Sequence, residues 1–354
     1  MKFTIECKIL QEELKKLEKM KPSKDYEITS STNYLIEADV KSQEIKIIRN
    51  EFMEVVLTLP AYVEEAGFKV LLQSTIKLIQ KLPNGDILLD NDKIKLGKKE
   101  IKINYNNIDF SKSKSNFITD ATATLTQKEF NRMLEVKYAI AKDETRPILQ
   151  GVFFNQNETC ALDGYRMSVR NSTEYNINAE FIMHPQMVEY ISKIIKNVCE
   201  YVTIEYNYNT NEIRITIGNL VITRHGIEGK YIKYKSLLPD SCKHVIKFNT
   251  DEILQSCKLL SNVDNILRFS QKDSNIILTT NDKFTSMSEE LSEVVIIESE
   301  NAFEVACSIK YFIEALKSIN STDIVLKNAS KVKPIILSND MKNLELVLPV
   351  RIAK

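Results

Sequence analysis

Apolar and polar residues follow two rhythms along this chain. YLIEADVKSQEIKIIRN, YVTIEYNYNTNEIRITIGNLVITRHGI and ILRFSQKDSNIILTTNDKFTSMS alternate apolar with polar and carry turn residues at intervals of about eight to twelve positions, which predicts antiparallel meanders. Elsewhere a short alternating strand runs straight into a helical rhythm. FTIECKILQEELKKLEKM from Phe3, ATATLTQKEFNRMLEVKYAIAK from Ala121 and HVIKFNTDEILQSCKLLSNV from His244 all read this way. Gln11, Thr126 and Thr250 are the expected helix caps, each followed by acids in the first turn.

The pattern repeats at long range. Leu14, Phe130 and Ile253 occupy the same place in the three segments and are 116 and 123 residues apart. A second set, FKVLLQSTIKLIQKLPNGD from Phe68, FIMHPQMVEYISKIIKN from Phe181 and FEVACSIKYFIEALKSIN from Phe303, recurs after 113 and 122 residues. Each period therefore holds two strand-to-helix units. A period this long predicts tandem domains with their own cores. The expected fold class is α+β: three domains, 1–120, 121–243 and 244–354, each packing two helices on antiparallel sheet.

Composition narrows the chemistry. Lysine plus arginine and aspartate plus glutamate both number 48, so no net field draws the chain to nucleic acid, and charge-based binding needs a local face. The helices supply one: Lys15, Lys16 and Lys19, Lys77 and Lys81, Lys193 and Lys196, and Lys310 and Lys317 lie off the apolar faces of their segments. Eight glycines and no GxxxxGK[ST] or GxGxxG leave nucleotide chemistry without a seat. Cys7, Cys160, Cys199, Cys242, Cys257 and Cys307 are scattered, which predicts buried free thiols with no disulfide frame, metal site or cofactor. His184, His225 and His244 lie beside no nucleophile and are expected to be structural. No long uncharged apolar run occurs, and MKFTIECKIL carries charges where a signal peptide is apolar, so a soluble cytoplasmic protein without membrane contact is expected.

Three segments stand out. ALDGYRMSVR, 161–170, puts Asp163, Tyr165 and Arg166 around Gly164, either an acid-base corner for an enzyme or a strand-end turn; without a second carboxylate or metal set, the turn is the expectation. DETRPILQGVFF, 143–154, enters an apolar strand through Arg146 and Pro147. LELVLPVRIAK, from Leu344, reads as an edge strand or an open end because of Pro349.

Together with GKYIKYKSLLP at 229–239 and KPIILS at 333–338, these segments resemble, in order and over the whole chain, the bacterial sliding clamps, the β subunit of DNA polymerase III. The family pattern runs close to T-R-P-x-L-N-G-V, A-T-D-G-H-R-L-A, F-P-D-Y-x-x-x-L-P and M-P-M-R-L. The resemblance implies a non-catalytic, head-to-tail homodimeric ring around duplex DNA, gripping it without sequence preference and tethering the replicative polymerase, clamp loader and repair proteins through short peptides. Implied peptide-groove residues are Leu149, Leu162, Gly164, Tyr165, Arg166, Met167, Leu237, Tyr311, Leu346, Val347, Leu348, Pro349, Val350 and Arg351. For DNA the implied residues are Lys15, Lys16, Lys19, Lys77, Arg146, Lys193 and Lys196, and for the dimer joint Ile101, Ile103, Leu259 and Leu260. Tyr165 replaces the family's histidine, Leu162 its threonine, and I-K-Y-K-S at Ile232 to Ser236 its P-D-Y-R-R. These departures leave open a divergent or mobile-element clamp with altered partners.

Overall fold

The computed structural model describes residues 1–20, 33–103, 117–195, 199–299, 303–339 and 342–351. The chain opens with β1 (Lys2–Glu6) running into α1 (Cys7–Glu18), then β2 (Asn33–Asp39), β3 (Glu44–Asn50), β4 (Glu54–Pro60) and β5 (Tyr62–Glu65). A second strand-to-helix unit, β6 (Gly67–Leu72) and α2 (Gln73–Ile79), leads to β7 (Asp86–Asp90), β8 (Lys93–Leu96) and β9 (Lys99–Lys102). The same order returns with β10 (Ala121–Thr126), α3 (Gln127–Met133), β11 (Val152–Asn155), β12 (Glu158–Leu162) and β13 (Arg166–Asn171). It continues through β14 (Glu180–Met183), α4 (Pro185–Ile194), β15 (Tyr201–Asn207), β16 (Glu212–Ile217) and β17 (Leu220–His225). The third round comprises β18 (His244–Asn249), α5 (Thr250–Leu260), β19 (Ile266–Lys272), β20 (Asn275–Asn281), β21 (Ser286–Glu290) and β22 (Val294–Ser299). It ends with β23 (Glu304–Ser308), α6 (Ile309–Ile319), β24 (Asp323–Asn328), β25 (Ile335–Ser338) and β26 (Asn343–Val347). All six expected strand-to-helix units are present, and the fold is α+β.

Contacts group the chain into two compact units. The first, Met1–Asn131, Ile177–Ala179 and Gln186–Gly226, holds a five-stranded sheet in the order β5-β1-β7-β8-β9 and an eight-stranded one in the order β10-β15-β16-β17-β4-β3-β2-β6. In the eight-stranded sheet β4 meets β17 antiparallel, Leu57 opposite Leu220 and Glu54 opposite Thr223. Helix α1 buries Cys7, Leu10, Leu14 and Leu17 at helical spacing and packs on β1, β4 and α2. Gln11 is not a cap, because the helix already starts at Cys7. Its amide instead donates to the Ile79 and Leu82 carbonyls, at 2.8 and 2.9 Å, tying α1 to the end of α2 and the turn that follows it.

The second unit, Arg132–Asn176, Glu180–Pro185 and Ile227–Lys354, holds a nine-stranded sheet in the order β14-β11-β12-β13-β26-β25-β24-β18-β22 and a four-stranded one in the order β21-β20-β19-β23. Helix α6 buries Ile309, Phe312, Ala315, Leu316 and Ile319 and stops at Asn320, whose left-handed backbone (φ 47°) caps it. Lys310 and Lys317 remain exposed, as their spacing predicts. For α5 the cap is Asn249, one residue before the expected Thr250: its side chain accepts the Glu252 amide at 3.0 Å. Thr126 does cap α3, accepting the Glu129 amide at 3.3 Å.

The expected C-terminal edge strand is an interior one. β26 lies between β13 and β25, and Pro349 falls beyond it, so the missing proline donor costs the ladder nothing. All six cysteines are free; Cys7, Cys160, Cys257 and Cys307 are buried, whereas Cys199 and Cys242 are only half-buried. His244 and His225 are engaged structurally, with Ser299 Oγ at 2.9 Å and the Thr210 carbonyl at 2.8 Å. Among the described residues no helix is long and apolar enough to cross a membrane.

Candidate functional site

In the second unit β13 and β26 pair with Arg166 opposite Val347 and Met167 opposite Leu346. Beside this junction opens a cavity of about 690 Å³. Its walls bring together eight of the expected groove residues, Leu149, Leu162, Gly164, Arg166, Met167, Leu237, Leu346 and Leu348. The volume is that of a small-ligand or peptide side-chain pocket. Each side chain is there for a local reason. Leu162 and Met167 face each other across the hairpin, Leu149 is presented by the 3-10 turn Pro147–Leu149, and Leu237 by the 3-10 turn Tyr234–Leu237. Behind the wall, Leu149, Leu162, Met167 and Leu346 belong to a core with Phe153, Cys160, Tyr231 and Tyr234. Phe153 stacks on Tyr231 with ring centroids 4.6 Å apart. Burial pushes the Tyr231 and Tyr234 phenols up, and Tyr234 also donates to Glu158, so both stay neutral.

The Asp163 turn is occupied by structure. Asp163 Oδ1 accepts the amides of Tyr165 and Arg166 at 3.0 and 3.1 Å, and Oδ2 accepts Arg166 Nε at 2.9 Å. Gly164 takes φ 89°, a backbone angle L side chains rarely adopt. Arg166 is buried, ion-paired to Asp163 and Glu314, and sandwiched by rings: its guanidinium lies 4.6 Å from the Tyr311 centroid and 5.1 Å from that of Tyr138. These bonds use the acid and the guanidinium that an acid-base corner would need free.

Six expected groove residues fall outside the cavity lining. Tyr165 and Tyr311 stack on each other beside it, centroids 6.0 Å apart, with Tyr165 61% exposed. Val347 is core, Pro349 bridges Cys307, the Val350 amide bonds the Ala306 carbonyl at 2.8 Å, and Arg351 is exposed. Thr145, Arg146, Pro147, Ile148, Ile232 and Pro334 line the cavity but were not expected there. Their signal was in the sequence, since the T-R-P-I-L, K-P-I-I-L and I-K-Y-K-S segments run through them. Arg146, expected as a DNA contact, stands on the cavity wall.

The expected DNA residues of the first unit are mostly exposed. Lys15, Lys19, Lys77 and Lys193 reach solvent; Lys16 is partly buried and paired with Glu13 at 2.7 Å. Lys19 Nζ donates to the Lys193 carbonyl at 3.0 Å, tying the end of α1 to that of α4. Lys196 lies outside the described residues. Of the expected joint residues, Ile101 is half-buried on the edge strand β9 and Ile103 is buried just past it. Leu259 is 54% exposed on α5, whereas Leu260 is wholly buried in the core, because successive helical positions are turned by about 100° and only one of the two falls on the buried face.

A modular antiparallel-sheet protein with a peptide-sized apolar cavity at a sheet junction is the class these features define. Family models described as the DNA polymerase III beta subunit, central domain, and its C-terminal domain match residues 124–233 and 235–351, together well over half of the chain. The chain belongs to that family. It is 23% identical over 349 residues to the beta sliding clamp of Staphylococcus aureus (strain Mu50), covering 89% of this chain and 91% of the relative. The sliding clamp of Bacillus subtilis superposes with a TM-score of 0.85 at 22% identity, covering the whole of both chains. The sliding clamp of Bartonella birtlesii, solved bound to griselimycin, has a TM-score of 0.86 at 19% identity, covering 99% of this chain and 100% of that one.

Proposed function

We propose that this protein is a cytoplasmic, non-catalytic DNA sliding clamp. Two copies, each of three tandem domains at 1–120, 121–243 and 244–354, close head to tail around duplex DNA. The ring tethers the replicative polymerase, clamp loader and repair proteins through short peptides seated in the 690 Å³ cavity. Tethering raises the local concentration of a modestly bound partner, which is what processive synthesis requires.

The carrying observation is the repetition of one junction. The fourth strand of the first round, β4, pairs with the last strand of the second, β17; likewise β13, the fourth of the second round, pairs with β26, the last of the third. By the same rule β21 pairs with β9, and among the described residues both are sheet edges. A second copy satisfies them reciprocally, and two copies close the ring. Their charges complement: β21 carries Glu289 and Glu290, and β9 is flanked and ended by exposed Lys98, Lys99 and Lys102. Leu259 stands on α5, which packs on β21, and Ile101 and Ile103 belong to β9 and its end.

Lys15, Lys16, Lys19, Lys77 and Lys193 then face DNA. Contacts to phosphate carry no sequence information and weaken with salt, so they permit sliding. The test is loading, by its clamp loader, onto nicked circular DNA followed by linearisation. The protein should stay on the circle and run off the linear product; equal retention on both would sink the ring. Each of Lys15 and Lys19 changed to Gln should lower the salt slope of DNA binding by about one.

A further inference from the structure

The junctions share a second feature at their hairpin tips. The tip of β12–β13 has the Asp163 amide bonded to the Arg166 carbonyl at 3.2 Å, with Asp163 Oδ1 accepting the next amides but one and two. The tip of β20–β21 repeats it bond for bond: the Asp282 amide meets the Thr285 carbonyl at 2.9 Å, and Asp282 Oδ1 accepts Phe284 and Thr285 at 2.7 and 2.6 Å. Phe284 thus stands where Tyr165 stands. The β3–β4 tip is one residue shorter, closed by Glu51 N to the Met53 carbonyl at 3.3 Å, and carries Phe52.

At the two junctions inside the chain, the tip aromatic residue meets the following module. Phe52 lies under the Arg224 guanidinium of β17, 5.4 Å from its ring centroid. Tyr165 accepts the Leu348 amide at 2.8 Å just beyond β26, and its ring stacks on Tyr311. Among the described residues Phe284 has no such neighbour, and at 94% exposure it is the most exposed of the large apolar side chains. A phenylalanine this exposed, on a turn whose backbone is pinned by Asp282, gains almost no burial within its own chain.

We propose that Phe284 is an anchor of the dimer joint, buried on a second copy of this chain against the end of β9, at Lys102 and Ile103. This rests on the proposed ring and adds the residue that holds it. The occupant is a second copy for two reasons: the tip continues the acidic edge β21, whose complement is the lysine-rich β9, and both equivalent tips meet the strand pairing with their own hairpin. Lys102 would stand to Phe284 as Arg224 stands to Phe52, a cation over a ring face.

The experiment is sedimentation equilibrium of the full chain and of Phe284→Ala over a range of concentrations, beside thermal unfolding of both. The dimer dissociation constant should rise about ten- to a hundredfold, the scale for losing a buried aromatic anchor. Unfolding of the monomer should be unchanged within about 0.5 kcal/mol, since the side chain is 94% exposed there. Lys283→Ala, on the same tip, should leave the dissociation constant within about twofold, the usual effect of an exposed substitution. A Phe284→Ala dimer as tight as the parent overturns the anchor and leaves the ring standing. A parent that stays monomeric at every concentration overturns the ring itself, and the anchor with it.

Discussion

Arg170 Nη1 lies 2.6 Å from Glu345 Oε1, and both side chains are fully buried. The pair sits on β13 and β26, the two strands that carry the cavity wall. Ser168 Oγ, Ser318 Oγ and Tyr138 Oη add hydrogen bonds to it, and Arg170 Nε, which has no hydrogen bond, lies 3.6 Å from Glu135, so neither charge is left unpaired. Burial, then Glu345, pushes the Tyr138 phenol well up and keeps it a donor. The same Tyr138 ring backs the Arg166 guanidinium. A buried ion network therefore stands directly behind the rim of the cavity.

Removing one member strands a buried charge. Glu345→Ala should destabilise the second unit by about 3–5 kcal/mol. Arg170→Met combined with Glu345→Leu should recover much of that, because an apolar pair of similar volume avoids the desolvation cost. Denaturant unfolding of the single and double variants measures it; a double variant no better than Glu345→Ala would contradict the network reading.

Tyr165 lies beside the cavity and stacks on Tyr311, so Tyr165→Ala should remove one stacking contact while leaving the apolar seat intact. The expected loss in affinity for a peptide with two apolar anchors is about 0.5–1.5 kcal/mol, without dissociating the dimer. Fluorescence anisotropy checks it. Met167→Ala, inside the cavity, should cost more; the reverse order would move the peptide off the cavity.

Glu252 links the start of α5 to the turn before β22. Burial raises its carboxyl, but hydrogen bonds from Ser292 Oγ, Ser292 N and Glu293 N outweigh this and leave it below the ordinary glutamate range. A carboxylate depressed by folding adds stability above its unfolded value, near about 4.3, and loses it as pH falls through the lower folded one. Acid should therefore lower the unfolding midpoint less in Glu252→Gln than in the parent. Equal slopes would show that the three bonds do not matter.

Periodicity alone identified the six strand-to-helix units and the threefold repeat, because burying one face of a helix or strand imposes a spacing visible without coordinates. The Asp163 turn was legible for the same kind of reason: aspartate, glycine and the following amides make a local structure. What the sequence could not decide was how strands distant along the chain join. Pro349 suggested an edge, yet β26 is interior because β13, some 175 residues earlier at Arg170 and Glu345, pairs with it. That pairing also sorted the groove residues, drawing Arg146, Ile232 and Pro334 to the cavity and sending Val347 to the core. Leu259 and Leu260, equivalent on paper, were separated by the turn of one helix. Local spacing determines which residues can be buried together, whereas only tertiary packing decides which surfaces meet, because those contacts depend on chain segments whose separation no local pattern encodes.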